Sequence, residues 1–254
     1  SYEQLNKKLY EEYKLKTIID KNDKFYMISA TNESDFQKRI VRQCSGIIIE
    51  KNTNKVLHYF GERAYDVENN NNNINLKNIN FKNCYISKYL DGYVIKTFNY
   101  NGIWTFSTSK HTNIKRFKIE NKILYNIFKN VILKTFNTVD DFLNLLEINY
   151  CYTFLLNNNS LYPLNKFNLI NLKEDFNFNN YFHLSKYKND KKSEPNEKFI
   201  IIEKNNIHEN KIINKIHINK KNLEELLHNN ICKCFDKTCN LTHYINSNIE
   251  EKNK

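Results

Sequence analysis

Ile86-Ser-Lys-Tyr-Leu-Asp-Gly-Tyr-Val-Ile-Lys-Thr-Phe98 decides how this chain is read. Asp91-Gly92 is a turn pair with a β-rich run on each side, Cys84 to Tyr89 and Tyr93 to Phe98. The whole chain has four glycines. One placed here points to a left-handed backbone or to a close approach of the backbone to another group. Asn101-Gly102 follows as a type I′ hairpin signal, and Trp104 to Thr108 reads as the next strand. Together the three runs predict a meander joined by tight turns.

Upstream, Tyr2 to Lys16 puts Leu5, Leu9 and Tyr13 on one helical face. Phe25 to Ser29 and Gly46 to Glu50 read as strands, and Lys55 to Phe60 pairs back through the Asn52 to Lys55 turn. Glu68 to Asn80 is Asn-rich and reads as a surface loop. Downstream, Ile119, Ile123, Ile127 and Val131 predict one helix over Lys118 to Phe136. Thr138-Val-Asp-Asp141 is an N-cap with an acidic third position, opening a helix to Glu147. Tyr150 to Leu156 and Lys166 to Leu172 read as strands around a turn at Asn157 to Ser160. Phe199 to Glu203 and Lys211 to Ile218 are two more, and Asn222 caps a short helix to His228. The fold class expected is α+β with mostly antiparallel pairing. Residues 1–227 read as one domain, and residues 228–254 as a Cys/His-rich C-terminal tail.

The 254 residues carry a net charge of +11 and 40% hydrophobic side chains, enough for a sizeable core. Only Ala30 and Ala64 are alanines, while Asn, Lys and Ile abound, the bias of an A+T-rich coding genome. The positive charge favours polyanionic partners, RNA first among them, over a merely solvated basic surface. No apolar run approaches the roughly 20 residues that span a bilayer, so no membrane partner is expected. Ser1 to Lys16 is charged throughout, unlike a secretory leader. The six cysteines are three scattered and three clustered, which fits a reducing compartment. The expected location is intracellular, in the cytoplasm.

The order of elements resembles the nucleotidyltransferase domain of ATP-dependent RNA ligases of the phage RNA ligase 1 type. DNA ligases and mRNA capping enzymes belong to the same superfamily. The resemblance runs from Arg42 to Leu227 and rests on segments in matching order. Arg42-Gln-Cys-Ser-Gly-Ile-Ile-Ile-Glu50 and Asn54 to Phe60 look like the strands before motif I, and Leu90-Asp91-Gly92 like motif I itself. Trp104 to Thr108 looks like the strand after it, and Tyr152-Thr-Phe-Leu-Leu156 like motif III. Glu197 to Ile202 is similar to motif IV, and Lys215-Ile-His-Ile218 to motif V. The resemblance implies a ligase-like fold of antiparallel sheets flanked by helices. It also implies ATP and a divalent metal as cofactors, RNA as substrate, and a lysine that forms a Lys–AMP intermediate.

The departures all run one way. In the family the nucleophilic lysine sits two positions before the aspartate, where this chain has Tyr89. Lys88 is one residue off that register, and on a strand one residue is the difference between two faces. Only a β-bulge would return it. Ser45 stands for the arginine of the Arg-Gly-Ile strand, and Leu155 for the acidic residue of motif III. Lys198 follows Glu197 in place of glycine, and His217 replaces the second lysine of motif V. Asp91, Gly92, Glu197 and Lys215 remain, and with His217 they are the candidate nucleotide-binding set.

Cys232, Cys234, Cys239 and His243, with His228 as an alternative to Cys232, have the spacing of a small tetrahedral zinc site. The segment is similar to the second half of a CCCH-type finger, and a reduced tail with chance cysteines is the other reading. Lys110 to Lys118 is basic with an aromatic, as a loop touching a nucleic-acid backbone would be, or a solvated face. His58, His183 and His208 are isolated and read as structural or surface residues. The function expected is a ligase-like domain that binds nucleotide or RNA ends and has lost catalysis. Two readings stay open beside it: an active RNA ligase using Lys88, and a protein-partner subunit with no nucleic-acid role.

Overall fold

The computed structural model describes residues 2–22, 24–44, 46–66, 84–89, 91–157, 160–175, 178, 182–183, 198–204, 212–219, 221 and 223. Along the chain run α1 (Tyr2–Tyr13), β1 (Leu15–Ile19), β2 (Phe25–Ala30), α2 (Arg39–Cys44), β3 (Ile48–Glu50) and β4 (Val56–His58). Next come β5 (Tyr65–Asp66), β6 (Cys84–Lys88), β7 (Tyr93–Tyr100), β8 (Ile103–Ser107) and a 3₁₀ turn at Ile114–Arg116. Then follow β9 (Lys118–Ile119), β10 (Lys122–Ile123), α3 (Leu124–Ile132), α4 (Val139–Leu143), β11 (Tyr150–Asn157) and β12 (Ser160–Asn168). The last strands are β13 (Phe182–His183), β14 (Lys198–Lys204) and β15 (Ile212–Asn219). The protein is α+β, with antiparallel sheets and few helices. Among the described residues no helix is long and apolar enough to cross a membrane.

The chain divides into two compact units. The first is Ser1–Arg63 with Leu90–Asn180, and the second is Ala64–Tyr89 with Tyr181–Lys254. The first unit holds two four-stranded sheets, ordered β1-β2-β3-β4 and β12-β11-β7-β8. Phe25, Met27, Ile48 and Leu57 of the former pack against Phe98, Cys151 and Phe167 of the latter. The other face of the second sheet, with Ile95, Phe106, Tyr152 and Phe154, packs on Leu124, Phe128, Val131 and Phe142 of α3 and α4. Strand β7 is therefore covered on both faces, and Ile95 to Phe98 are all buried. The second unit holds one sheet ordered β13-β6-β14-β15-β5, antiparallel except for β15 with β5.

The Asn101-Gly102 hairpin is present, with both residues at positive φ between β7 and β8. Thr138 and Asp141 make a full capping box, each side chain taking the other's backbone N–H at 3.0 and 2.9 Å. Three local expectations need correction. The meander is not formed: β7 pairs with β8 and β11, whereas β6 pairs with β13 and β14 in the other unit. The helix expected from Lys118 starts at Leu124, because Glu120 and Asn121 adopt positive φ and fold Lys118 to Ile123 into a two-stranded hairpin. The strand expected at Lys166 to Leu172 is β12, which starts at Ser160. Pro163 lies within it, tolerated because β12 is an edge strand and the ladder shifts register between Thr153 and Phe154. Glu68 to Asn80 lies outside the described residues.

Candidate functional site

In the second unit, register decides the relation of Lys88 to Lys215 and His217. Lys88 is level with Phe199, which is level with Ile218. One rung on, Ser87, Ile200, His217 and Asp66 form a row, and two rungs further Tyr85, Ile202 and Lys215 form another. Side chains of cross-strand partners share a face, and alternate residues switch face. By register Lys88 is in step with Cys84 and Ile86 on β6 and with Ile216 and Ile218 on β15, these four all buried. Lys215 and His217 fall on the alternate rungs of the ladder. The β6–β14 ladder runs from Cys84 to Lys88 without a register shift, so β6 has no bulge to move Lys88 onto the rungs of Lys215 and His217. Tyr89 follows the end of β6 and is 41% exposed. Glu197 and Ser45, like the tail residues Cys232, Cys234, Cys239 and His243, lie outside the described residues.

In the first unit, Asp91 is exposed and its backbone carbonyl accepts a hydrogen bond from Asn157 Nδ2 at 2.5 Å. Gly92 answers the question its rarity raised. A Cβ there would lie 2.6 Å from the Leu156 carbonyl oxygen and 3.1 Å from Leu155 Cδ1. The glycine is required by close packing of β7 on β11, with Leu155 opposite Val94 and Leu156 opposite Tyr93. Leu155, in the expected acidic position, is buried and touches this glycine instead of presenting a carboxylate. Gly92→Ala is expected to cost about 1–3 kcal/mol, the usual range for overpacking. The check is the urea midpoint. An unchanged midpoint would mean that the start of β7 moves freely away from Leu156.

Lys96 is the residue that sequence reasoning passed over. It lies on β7 between Thr153 of β11 and Ser107 of β8, and is 1% exposed. Its Nζ donates to the Gly46 carbonyl at 2.6 Å, and a Cβ on Gly46 would sit 1.9 Å from Nζ. Burial brings its pKa down to about 7. A nucleophilic lysine needs a lowered pKa and access to its substrate; Lys96 has the first and is closed to the second. A signal existed in the sequence, a lone lysine inside the apolar run Val94 to Phe98.

His58 lies in the same interior, fully buried, with Nε2 3.2 Å from both the Tyr152 carbonyl and Thr153 Oγ1. Burial first, then the nearby Lys96 charge, hold its pKa well below the usual value, so the ring is neutral. Its Nδ1 has no hydrogen-bond partner among the described residues. The reading of His58 as structural agrees with this setting.

Arg42 acts within α2 as a clamp. Its guanidinium takes Glu62 at 2.8 Å and the Phe36 and Gln37 carbonyls at 2.8 Å each. Arg39 Nε binds the other Glu62 oxygen at 2.8 Å. Among the described residues no group of three or more His, Cys, Asp or Glu is placed to hold a metal ion, and Cys44, Cys84 and Cys151 are not in disulfides. No protein-family model matches the chain, and no curated protein matches it.

Proposed function

We propose that the chain is an RNA-ligase-like nucleotidyltransferase domain that binds RNA, with its ends or a nucleotide as ligand, and no longer forms a covalent nucleotidyl intermediate. The observation that carries this reading is the register of β6: Lys88 is level with Phe199 and Ile218, whereas Lys215 and His217 lie on the alternate rungs of the same sheet. A lysine that attacks phosphorus needs the neighbouring cations on its own side to neutralise the transition state. Leu155 removes the acidic group of motif III as well.

The ancestry has its own support. Segments assigned from widely separated parts of the sequence become neighbours, β6 beside β14 and β14 beside β15. Likewise β7, which follows Asp91-Gly92, lies beside β11, which carries the motif III segment.

The test is incubation with a 5′-phosphorylated RNA, ATP and Mg²⁺. The expected result is salt-sensitive RNA binding and no joined product. Joined strands would restore the active-ligase reading. Loss of all RNA binding at low salt would favour the protein-partner reading.

A further inference from the structure

Two cavities open on the first unit and share Ile103, an exposed isoleucine at the tip of the β7–β8 hairpin that is 70% accessible. The smaller, about 360 Å³, is lined by Lys21, Lys24, Lys110 and Arg116 against one carboxylate, Asp20. That carboxylate is already engaged, accepting the backbone N–H groups of Asn22, Lys24 and Phe25 at 3.0, 2.6 and 2.9 Å. The larger, about 660 Å³, has Trp104 and Tyr125 in its wall with Lys115 and Lys129 against one carboxylate, Asp140.

The cations are set over rings. Lys24 Nζ lies 5.9 Å from the Tyr100 centroid, and Lys115 Nζ lies 4.9 Å from that of Tyr125. The basic loop between the cavities is held in shape by its own side chains. Thr108 Oγ1 accepts from the N–H groups of Lys110 and His111, Asn113 Oδ1 accepts from that of Lys115, and His111 stacks on Phe117 at 4.3 Å.

We propose that this face is the docking surface for single-stranded RNA. The strand's phosphates lie along Lys21, Lys24, Lys110 and Arg116, and a base enters the larger cavity against Trp104. Charge complementarity selects a polyanion, and rings beside cations select one that carries bases, because every base offers a face to stack. The assignment rests on the RNA-binding reading above and names where that binding occurs.

Trp104 is the chain's one tryptophan, which gives the site a reporter. The experiment titrates the full chain with a short oligouridylate, following Trp104 fluorescence and the anisotropy of a labelled copy at several salt concentrations. The expected result is quenching of Trp104 in step with binding. Four phosphate contacts at about 0.7 each give a log–log salt slope near −3. Lys110→Gln with Arg116→Gln, both exposed positions, should weaken binding and reduce the slope by about 1.4. RNA binding with silent Trp104 and an unaffected double variant would overturn this surface while sparing the RNA-binding reading. No binding by the wild type would overturn both. Equal binding and quenching by polyglutamate would show a site for acidic chains in general and overturn the RNA assignment.

Discussion

Replacing Lys96 by methionine is expected to abolish a rise in stability with pH that the wild type shows between pH 7 and pH 9. The amine is fully buried, and its pKa falls from 10.5 to about 7. In the unfolded chain the lysine binds its proton up to its ordinary pKa, while in the folded protein it releases it above about 7. The unfolded state thus holds more protons across this window, and stability increases as pH rises. At about 1.4 kcal/mol per pH unit, the gain from pH 7 to pH 9 is about 2 kcal/mol.

Methionine fills similar space without a charge to desolvate. It also leaves the Gly46 carbonyl without the Lys96 donor, a cost of about 1 kcal/mol. The variant should therefore be the more stable protein at pH 7 and lose about 2 kcal/mol of that advantage by pH 9. Above pH 9 Cys151, whose thiol is pushed up to about 12 by burial, works the other way. It stays protonated in the folded protein while the unfolded chain ionises, so it offsets the Lys96 gain up to pH 10.5 and lowers stability beyond it. Urea midpoints of both proteins at pH 7, 8 and 9 check the claim. Parallel curves would mean that Lys96 keeps its proton in the fold.

Glu62→Ala is expected to be the most damaging single change at a salt bridge. The carboxylate is 5% exposed and is held from both sides, by Arg39 and by Arg42. Arg42 is itself largely buried, with its side chain 14% exposed. Removing the carboxylate breaks this buried pair from one side, a loss of about 3–5 kcal/mol. The double variant Arg42→Met, Glu62→Leu removes both charges and should recover much of the loss. Denaturation midpoints of the two variants read this directly. A single variant within 1 kcal/mol of wild type, to take a rough bound for exposed pairs, would mean that solvent reaches the pair.

Much of this was legible in the sequence where the signals are local. Asn101-Gly102 and the Thr138 cap specify their turn and helix start from a few adjacent residues, and both are present. Asp91-Gly92 has the same local form and a different role. Its flanking strands join different sheets, because each finds its partner far away in sequence, β6 at β14 and β7 at β11. The helix start at Leu124 was hidden because Ile119 and Ile123 fit helical spacing as well as they fit a hairpin. Lys96 was passed over because its burial follows from the packing of a second sheet on β7, which no pattern within Tyr93 to Phe98 specifies. The one-residue offset of Lys88, in contrast, was readable as soon as a strand was assigned there. The ladder of β6 gives that offset its consequence.

The proposed absence of nucleotidyl transfer is the central claim, and intact mass tests it most directly. Wild type and Lys88→Ala would each be incubated with ATP or GTP and a divalent metal, then weighed. The account predicts a single unmodified species for both proteins, with equal affinity for RNA. A nucleotidyl adduct on the wild type that disappears in Lys88→Ala would contradict it.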